Sequence, residues 1–159
     1  MISAATHSKR LAIVTALALW LARGAAIAAP SCTINNLTSV SFGRYDSLAA
    51  APLDSLGTIV VHCTGASASV TYSLTAGSSG AFIPRTLTGP ATHKLDFNLY
   101  LDSAHTVVWG DGTSGTSLYG PISVAQDTDN TAFIYGRMPP GQAVPAGVYV
   151  ETLTLLITF

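Results

Sequence analysis

Two cysteines, Cys32 and Cys63, are the residues whose type most directly suggests chemistry in this chain. If the chain is exported, a matched pair most simply forms one disulfide, which stabilises by about 3–4 kcal/mol in the chain-entropy model. A metal site is the alternative, because His62 adjoins Cys63. Neighbouring residues of a strand point to opposite faces, however, and this favours the disulfide.

Oxygen-bearing side chains cluster at Asp127-Thr128-Asp129-Asn130. Calcium prefers oxygen ligands, so the cluster is a candidate cation site. It lacks the glycine and the distant glutamate of an EF-hand loop, and Asp and Asn also favour turns. We therefore expect Asp127 and Asp129 to lie in a solvated turn and predict no metal site.

An aromatic residue enters a glycine-rich turn at Trp109-Gly110-Asp111-Gly112. Carbohydrate sites often present an exposed aromatic ring beside an acidic group, so Trp109 and Asp111 are candidates for a surface contact. The alternative is that the Trp109 ring packs inside the domain while the glycines let the backbone bend sharply. The sequence favours packing over contact.

A second candidate contact lies in the Ala-rich stretch 48–56. We expect this stretch to be an exposed loop, because Pro52 interrupts strand pairing. Leu48 and Leu53 would then contact a surface or partner. The alternative, that both leucines fold back onto the domain, stays open.

The composition excludes several classes of function. Charged residues make up 9% of the 159 residues, against about 25% in an average domain, and the net charge is −1. The chain therefore lacks the basic surface that binds nucleic acid. It also contains no nucleophile elbow, no His-Glu-x-x-His and no phosphate-binding loop, so we predict neither enzyme activity nor a cofactor.

The N-terminus resembles a secretion signal. Lys9 and Arg10 precede an uncharged, mainly apolar run over residues 11–22, which is too short to span a bilayer. Small residues at Ala26 and Ala28 predict cleavage after Ala28, although an uncleaved membrane anchor is the alternative. The predicted organisation is therefore a signal peptide, 1–28, and one domain, 29–159, with no membrane span after cleavage. The domain 29–159 has four basic and eight acidic residues, so the net charge of the domain is 4 − 8 = −4.

Hydrophobicity in the mature chain repeats every second residue, which indicates β-strands, and no long segment has helical periodicity. Weaker strand candidates are 34–42, 131–138 and the short run 106–109. Turn signals separate the runs, so the predicted fold is all-β, an antiparallel β-sandwich. The apolar positions of the four clear runs are Ile59, Val61 and Cys63; Val70, Tyr72 and Leu74; Leu95, Phe97, Leu99 and Leu101; and Leu153, Leu155, Ile157 and Phe159.

The last of these runs has no Lys, Pro or evident bulge to protect it. A flat apolar strand of this kind aggregates at a sheet edge unless another strand covers it. The alternative is a central strand in a complete sandwich, where it is already covered.

Several motifs follow one another along the chain: Phe42-Gly43-x-Tyr45, Arg85-Thr86-Leu87, Trp109-Gly110-Asp111-Gly112, Tyr135-Gly136-Arg137-Met138-Pro139-x-Gly141-Gln142 and Ala146-Gly147-x-Tyr149-x-Glu151-Thr152. This order resembles the spore coat U domain family, which includes subunits of archaic chaperone–usher pili. The resemblance covers essentially residues 32–159, and one departure is Glu151, where the family more often has Asp.

The resemblance implies an immunoglobulin-like sandwich that lacks its last strand, with a groove between the first and the C-terminal strands. A periplasmic chaperone and then a neighbouring subunit would fill this groove by β-strand addition, with assembly at an outer-membrane usher. The expected location is the periplasm and then the cell surface. The residues expected to face the groove are Ile34, Phe42, Leu153, Leu155, Ile157 and Phe159.

Cleavage after Ala28 would leave only Ala29, Pro30 and Ser31 before Cys32. A donor strand needs about ten residues, so we expect a subunit that accepts a strand and gives none, as at a fibre tip. A coat protein that never polymerises and a groove filled by the same chain are alternatives. A secreted carbohydrate-binding or adhesive module is the alternative function.

Overall fold

The computed structural model describes residues 28–159, so the predicted signal peptide lies outside the described residues except for Ala28. No helix in the described part of the chain is long and apolar enough to cross a membrane. The strands are β1 (Ser31–Thr38), β2 (Leu53–Thr64), β3 (Ala68–Leu74), β4 (Arg85–Thr88), β5 (Lys94–Tyr100), β6 (Tyr119–Val124), β7 (Thr128–Met138) and β8 (Leu155–Thr158), and single turns of 3₁₀ helix occur at Gly77–Ser79 and Pro90–Thr92.

The strands form two sheets in which every neighbouring pair is antiparallel. One sheet has five strands in the order β1-β2-β7-β5-β4, and the other has three in the order β6-β3-β8. The predicted all-β sandwich is confirmed.

The core lies between the sheets and includes every apolar position that the alternation predicted in β2, β3 and β5. Ile59, Val61 and Cys63 of β2 are at most 1% exposed. Opposite them, Val70 and Tyr72 of β3 are fully buried. Burial of each such apolar side chain contributes about 1.5–3 kcal/mol.

A disulfide joins Cys32 of β1 to Cys63 of β2. The two residues lie directly opposite each other in the register of the strands, with their Cα atoms 4.1 Å apart. The bond therefore attaches the edge strand β1 to the core of the five-stranded sheet.

The stretch 48–56 differs from the prediction, because the exposed loop ends at Pro52 and β2 begins at Leu53. Leu53 lies opposite Met138 of β7 and packs against the core, whereas Leu48 is 92% exposed. The prediction of a loop up to residue 56 is wrong because Pro52 precedes the strand without interrupting its ladder.

The C-terminal segment 150–158 contacts both sheets. Val150 exchanges backbone hydrogen bonds with Thr88 of β4, at N–O distances of 2.8 and 3.0 Å. The chain then crosses to the other sheet, where β8 pairs with β3 from Leu155 onwards. The C-terminal strand is therefore shorter than its apolar alternation suggested.

Candidate functional site: an apolar groove between the sheets

The two sheets do not cover each other completely. A strand occupies about 4.8 Å across a sheet, so three strands leave about 10 Å of the five-stranded sheet uncovered. A groove of about 850 Å³ lies over this region. Its apolar lining includes Ile59, Leu74, Leu87, Leu95, Phe97, Leu99, Ile134 and Met138.

Residues of β1 that point toward the sandwich interior are exposed. Leu37 lies opposite Ile59 in the register of the strands; Ile59 is 1% exposed but Leu37 is 53% exposed. In the same way, Ile34 is 45% exposed opposite the fully buried Val61. Cross-strand partners share a face of the sheet, so two apolar core-facing side chains lack a covering layer.

The opposite side of the groove ends at a free strand edge. β8 pairs with β3 through Leu155 opposite Leu74 and Ile157 opposite Tyr72. No described strand pairs with the other edge of β8. Such an edge presents backbone N–H and C=O groups that another extended segment can pair with.

Residues 39–47, which follow β1, form the first rim of the groove. They cross close to β7 because Gly136 has no side chain: a Cβ there would lie 2.6 Å from Val40 Cγ1 and 2.9 Å from Phe42 Cζ. Phe42 then contacts the ring of Phe97 edge-on, with 6.1 Å between ring centroids. Glycine in the strand thus places the aromatic side chain of the first rim over the groove floor.

A tyrosine joins the first rim to the segment after β7. The Tyr45 hydroxyl donates to the Pro139 carbonyl at 2.8 Å and accepts from the Gln142 backbone N–H at 2.9 Å. The Gln142 side chain pairs in turn with the backbone N–H and C=O of Asp96, at 2.6 and 2.9 Å. The Gln142 side chain therefore makes the two hydrogen bonds with β5 that a neighbouring strand would make. It fixes the chain just before the second rim of the groove, which is the segment 144–151.

The second rim is the segment 144–151, which precedes β8. At its end the Glu151 carboxylate accepts hydrogen bonds from the backbone N–H of Ser78, at 2.9 Å, and from the Ser78 hydroxyl. Burial opposes ionisation of Glu151, but the hydrogen bonds from Ser78, together with the Thr152 backbone N–H and the charge of Lys94, lower the pKa of the carboxyl. Glu151, where the family more often has Asp, therefore still anchors the rim through a charged carboxylate.

The chain is similar in sequence to a known family of proteins. The family model for the Spore Coat Protein U domain matches residues 17–156. The chain belongs to this family. Over 137 residues it is 31% identical to Protein U of Myxococcus xanthus, covering 76% of this chain and 72% of that protein.

A similar solved structure is the CsuC–CsuE chaperone–tip adhesion subunit pre-assembly complex from archaic chaperone–usher Csu pili of Acinetobacter baumannii. The likeness has a TM-score of 0.55 at 21% identity and covers 82% of this chain. Our chain spans 40% of the matched chain, and at this identity the likeness shows the fold alone.

Three of the six residues expected to face the groove line it, namely Phe42, Leu153 and Leu155. The others lie elsewhere: Ile34 stands on β1 beyond the groove, and Ile157 packs against the core beside Tyr72. Phe159, 51% exposed, follows the end of β8. Strand β8 continues along β3 past the groove, which is why the last positions of the alternation do not line it.

Leu37 is a groove residue that sequence reasoning missed. A register shift in β1 lies between Ile34 and Asn36, so Ile34 and Leu37 face the same side although three positions separate them. Alternation alone cannot show such a bulge, because the extra residue reverses the pattern after it.

Trp109 does not form a surface contact, because its side chain is completely buried. The indole N–H donates to the Tyr72 carbonyl at 3.2 Å, and the Trp109 carbonyl accepts from the Arg85 guanidinium at 2.7 Å. The structure has the packing that the sequence favoured, and the alternative, a surface contact through Trp109, does not form. The inward position depends on the next residue: at Gly110 a Cβ would lie 2.3 Å from Thr116 Oγ1, so only glycine lets the turn fold the ring inward.

The remaining candidate residues do not converge on a site. Asp111 is exposed, and hydrogen bonds from the Thr113 hydroxyl and backbone N–H lower the pKa of its carboxyl. Asp127 lies in a turn, but Asp129 lies in β7 and contacts His62 Nδ1 at 2.7 Å. Among the described residues, no three His, Cys, Asp or Glu side chains are grouped so that they could hold a metal.

Proposed function

We propose that this chain is an exported structural subunit of a surface fibre or coat and that its groove accepts a β-strand from another chain. The observation that carries the proposal is an uncovered apolar surface: Leu37 in the groove and Ile34 on β1 beyond it face the interior but remain about half exposed. A donated strand would pair with the free edge of β8 and bury these side chains. Each apolar side chain that becomes fully buried would contribute about 1.5–3 kcal/mol.

The partners we infer are a periplasmic pilus chaperone, an outer-membrane usher and neighbouring subunits. Support comes from family membership and from the Csu complex, in which a chaperone is bound to a tip adhesion subunit. The inferred route is cleavage of a signal peptide after Ala28, passage through the periplasm and display at the cell surface.

Expression in the periplasm tests the proposal. Without a co-expressed chaperone from the same genome, the chain should aggregate or be degraded, because its apolar groove is open. With the chaperone it should accumulate as a one-to-one complex. A soluble, monomeric chain that needs no partner would contradict the proposal and favour an autonomous binding module.

We further propose that the subunit accepts a strand without giving one, as a tip subunit or a coat protein would. The support is the short segment 29–31 between the predicted cleavage site and Cys32. Sequencing of the mature N-terminus should find Ala29, and a peptide of residues 29–40 should not enter the groove of a fibre-forming neighbour. A mature N-terminus ten or more residues upstream, or entry of that peptide, would overturn this part alone.

A further inference from the structure

A second concave site lies on the outer surface of the five-stranded sheet. It is an open pocket of about 380 Å³, lined by Asp54, Ser55, Leu56, His105 and Tyr135. The groove does not include any of these residues.

The pocket and the groove are on opposite faces of the sheet. Along β2, the groove residue Ile59 points inward, so Asp54 and Leu56, whose positions differ from it by odd numbers, point outward. On β7 the same alternation separates the buried Ile134 from Tyr135. A strand bound in the groove would therefore leave the pocket open.

His105 is the unusual residue of this pocket. Its side chain is only 7% exposed, between the rings of Tyr100 and Tyr135 at centroid distances of 5.2 and 6.3 Å. The buried Nδ1 has no hydrogen-bond partner, and Nε2 lies 3.8 Å from Asp54 Oδ1, beyond hydrogen-bond distance. Buried polar groups are normally paired, so the folded chain holds an imidazole with one buried nitrogen, Nδ1, left without a partner.

The backbone around His105 is held in an uncommon conformation. Its φ is +58°, in the left-handed region that residues with a side chain rarely adopt. Asp102 stabilises the turn by accepting hydrogen bonds from the backbone N–H groups of Thr106 and Val107 at 2.8–3.1 Å. Backbone strain of this kind concentrates at functional sites.

Asp54 is oriented by a cation. Arg137 donates to both of its carboxylate oxygens, at 2.7 Å each. This pair is close to neutral in sum, and it fixes the direction of the oxygen that faces His105.

The remaining lining residues are Ser55, whose hydroxyl is bonded to the Ser41 carbonyl at 2.6 Å, Leu56 and Tyr135, and the last two give the pocket an accessible apolar side. Leu56 is 51% exposed beside Tyr135, and the adjacent Phe133 is 46% exposed with its ring 6.3 Å from that of Tyr135. Together they form an aromatic and aliphatic wall next to a small set of oriented polar groups. Small-molecule sites commonly combine these two features.

We propose that this pocket binds the ring of a neutral saccharide. One hydroxyl of the ligand would accept a hydrogen bond from His105 Nε2–H and donate to Asp54 Oδ1, bridging two atoms that are too far apart to bond directly. The apolar C–H face of the sugar ring would lie against Tyr135 and Leu56. A charged ligand fits less well, because Arg137 is already paired with Asp54.

The test is an array of neutral oligosaccharides, comprising glucan, mannan, galactan and chitin fragments, probed with the full chain purified from the periplasm as its chaperone complex and with the chaperone alone as the blank. Affinity for the bound sugars is then measured by calorimetry for Asp54→Leu and His105→Ala. Each change should weaken binding at least tenfold, because each removes one end of the hydroxyl bridge. Asp54→Leu keeps roughly the size of the side chain without its oxygens, so it serves if His105→Ala fails to fold.

The matched control is His62→Ala, which removes another histidine from the outer face of β2 and should leave affinity unchanged within about twofold. The proposal is overturned if no neutral saccharide binds. It is also overturned if Asp54→Leu binds as tightly as the unaltered chain, or if His62→Ala loses as much affinity as His105→Ala. None of these results depends on whether the groove accepts a strand.

Discussion

A single buried cation, Arg85, connects three segments of the molecule. Its side chain is fully buried, and its guanidinium donates to the carbonyl oxygens of Thr75 and Trp109 and to the side-chain oxygen of Asn98 at 2.7–3.1 Å. Burial lowers its pKa to about 10, so it remains charged at neutral pH. Hydrogen bonds to several acceptors offset the cost of burying the charge and fix the turn that carries Trp109.

The disulfide leads to a prediction about stability. Replacing Cys32 by Ser should lower the free energy of unfolding by about 2–5 kcal/mol, because β1 would lose its covalent attachment to the core. Thermal melting would measure this loss, with Ser31→Ala as the control on the same strand. Intact-mass analysis without reductant should show a deficit of two hydrogens; alkylation of both cysteines without reductant would contradict the account.

The ion pair between Asp54 and Arg137 leads to a prediction about pH. The hydrogen bond from Arg137 lowers the pKa of Asp54 below its usual value of 3.8. The pair therefore stabilises the folded state above about pH 4, and this contribution disappears as the pH falls through the lowered pKa. The difference in Tm between the unaltered chain and Asp54→Asn should be largest near pH 6 and should narrow toward pH 2. A difference in Tm that does not change with pH would mean that the charge of Asp54, and so its ion pair with Arg137, does not stabilise the folded state.

At the scale of elements, the long strands of the core could be predicted, whereas the short strands β4 and β6 could not. Strands β2, β3 and β5 bury every second residue, and that alternation is visible in the sequence. Strand β4 is four residues long and begins with the buried Arg85, so its inward side looks polar. Strand β6 contains Gly120 and Pro121, residues that argue against a strand. The predicted strand at 106–109 forms only isolated bridges, because Asp102 holds its first residues in a turn.

A substitution at Gly136 tests how β7 positions the first rim, residues 39–47. A Gly136→Ala change should destabilise the fold by about 1–3 kcal/mol, since the new methyl group would overlap Val40 and Phe42. Thr131→Ala, an exposed position on the same strand, is the control and should alter the melting temperature little. Equal melting temperatures for the two variants would show that the rim does not depend on the close approach.

Substitutions at Leu155 and Thr154 test which side of the C-terminal segment faces the groove. Leu155 lines the groove, whereas Thr154 is exposed. Leu155→Asp should abolish co-purification with the chaperone, because it places an unpaired charge against the apolar floor. Thr154→Asp should retain the complex. If both variants are captured equally, the assigned face of this segment is wrong.

At the scale of the whole molecule, the general position of the groove could be predicted, but its lining could not. Resemblance to the family placed it between the first and the C-terminal strands, where the structure has an opening lined by Phe42, Leu153 and Leu155. The bulge in β1 that turns Leu37 inward depends on three-dimensional pairing with β2. The outer pocket depends in the same way on a turn that brings His105 beside Asp54, residues far apart in the sequence.

Hydrogen–deuterium exchange of the full chain tests the central claim most directly, which is that the groove is open and takes a strand. In the chain refolded in vitro and kept dilute before it binds a partner, the backbone amides of residues 153–159 that point away from β3 should exchange quickly, because they lie on the free edge of β8. After capture by the chaperone the same amides should be protected, while those of the outer face around Leu56 and Tyr135 should not change. Slow exchange of these outward-pointing amides in the unbound chain, or no gain in protection on binding, would contradict the account.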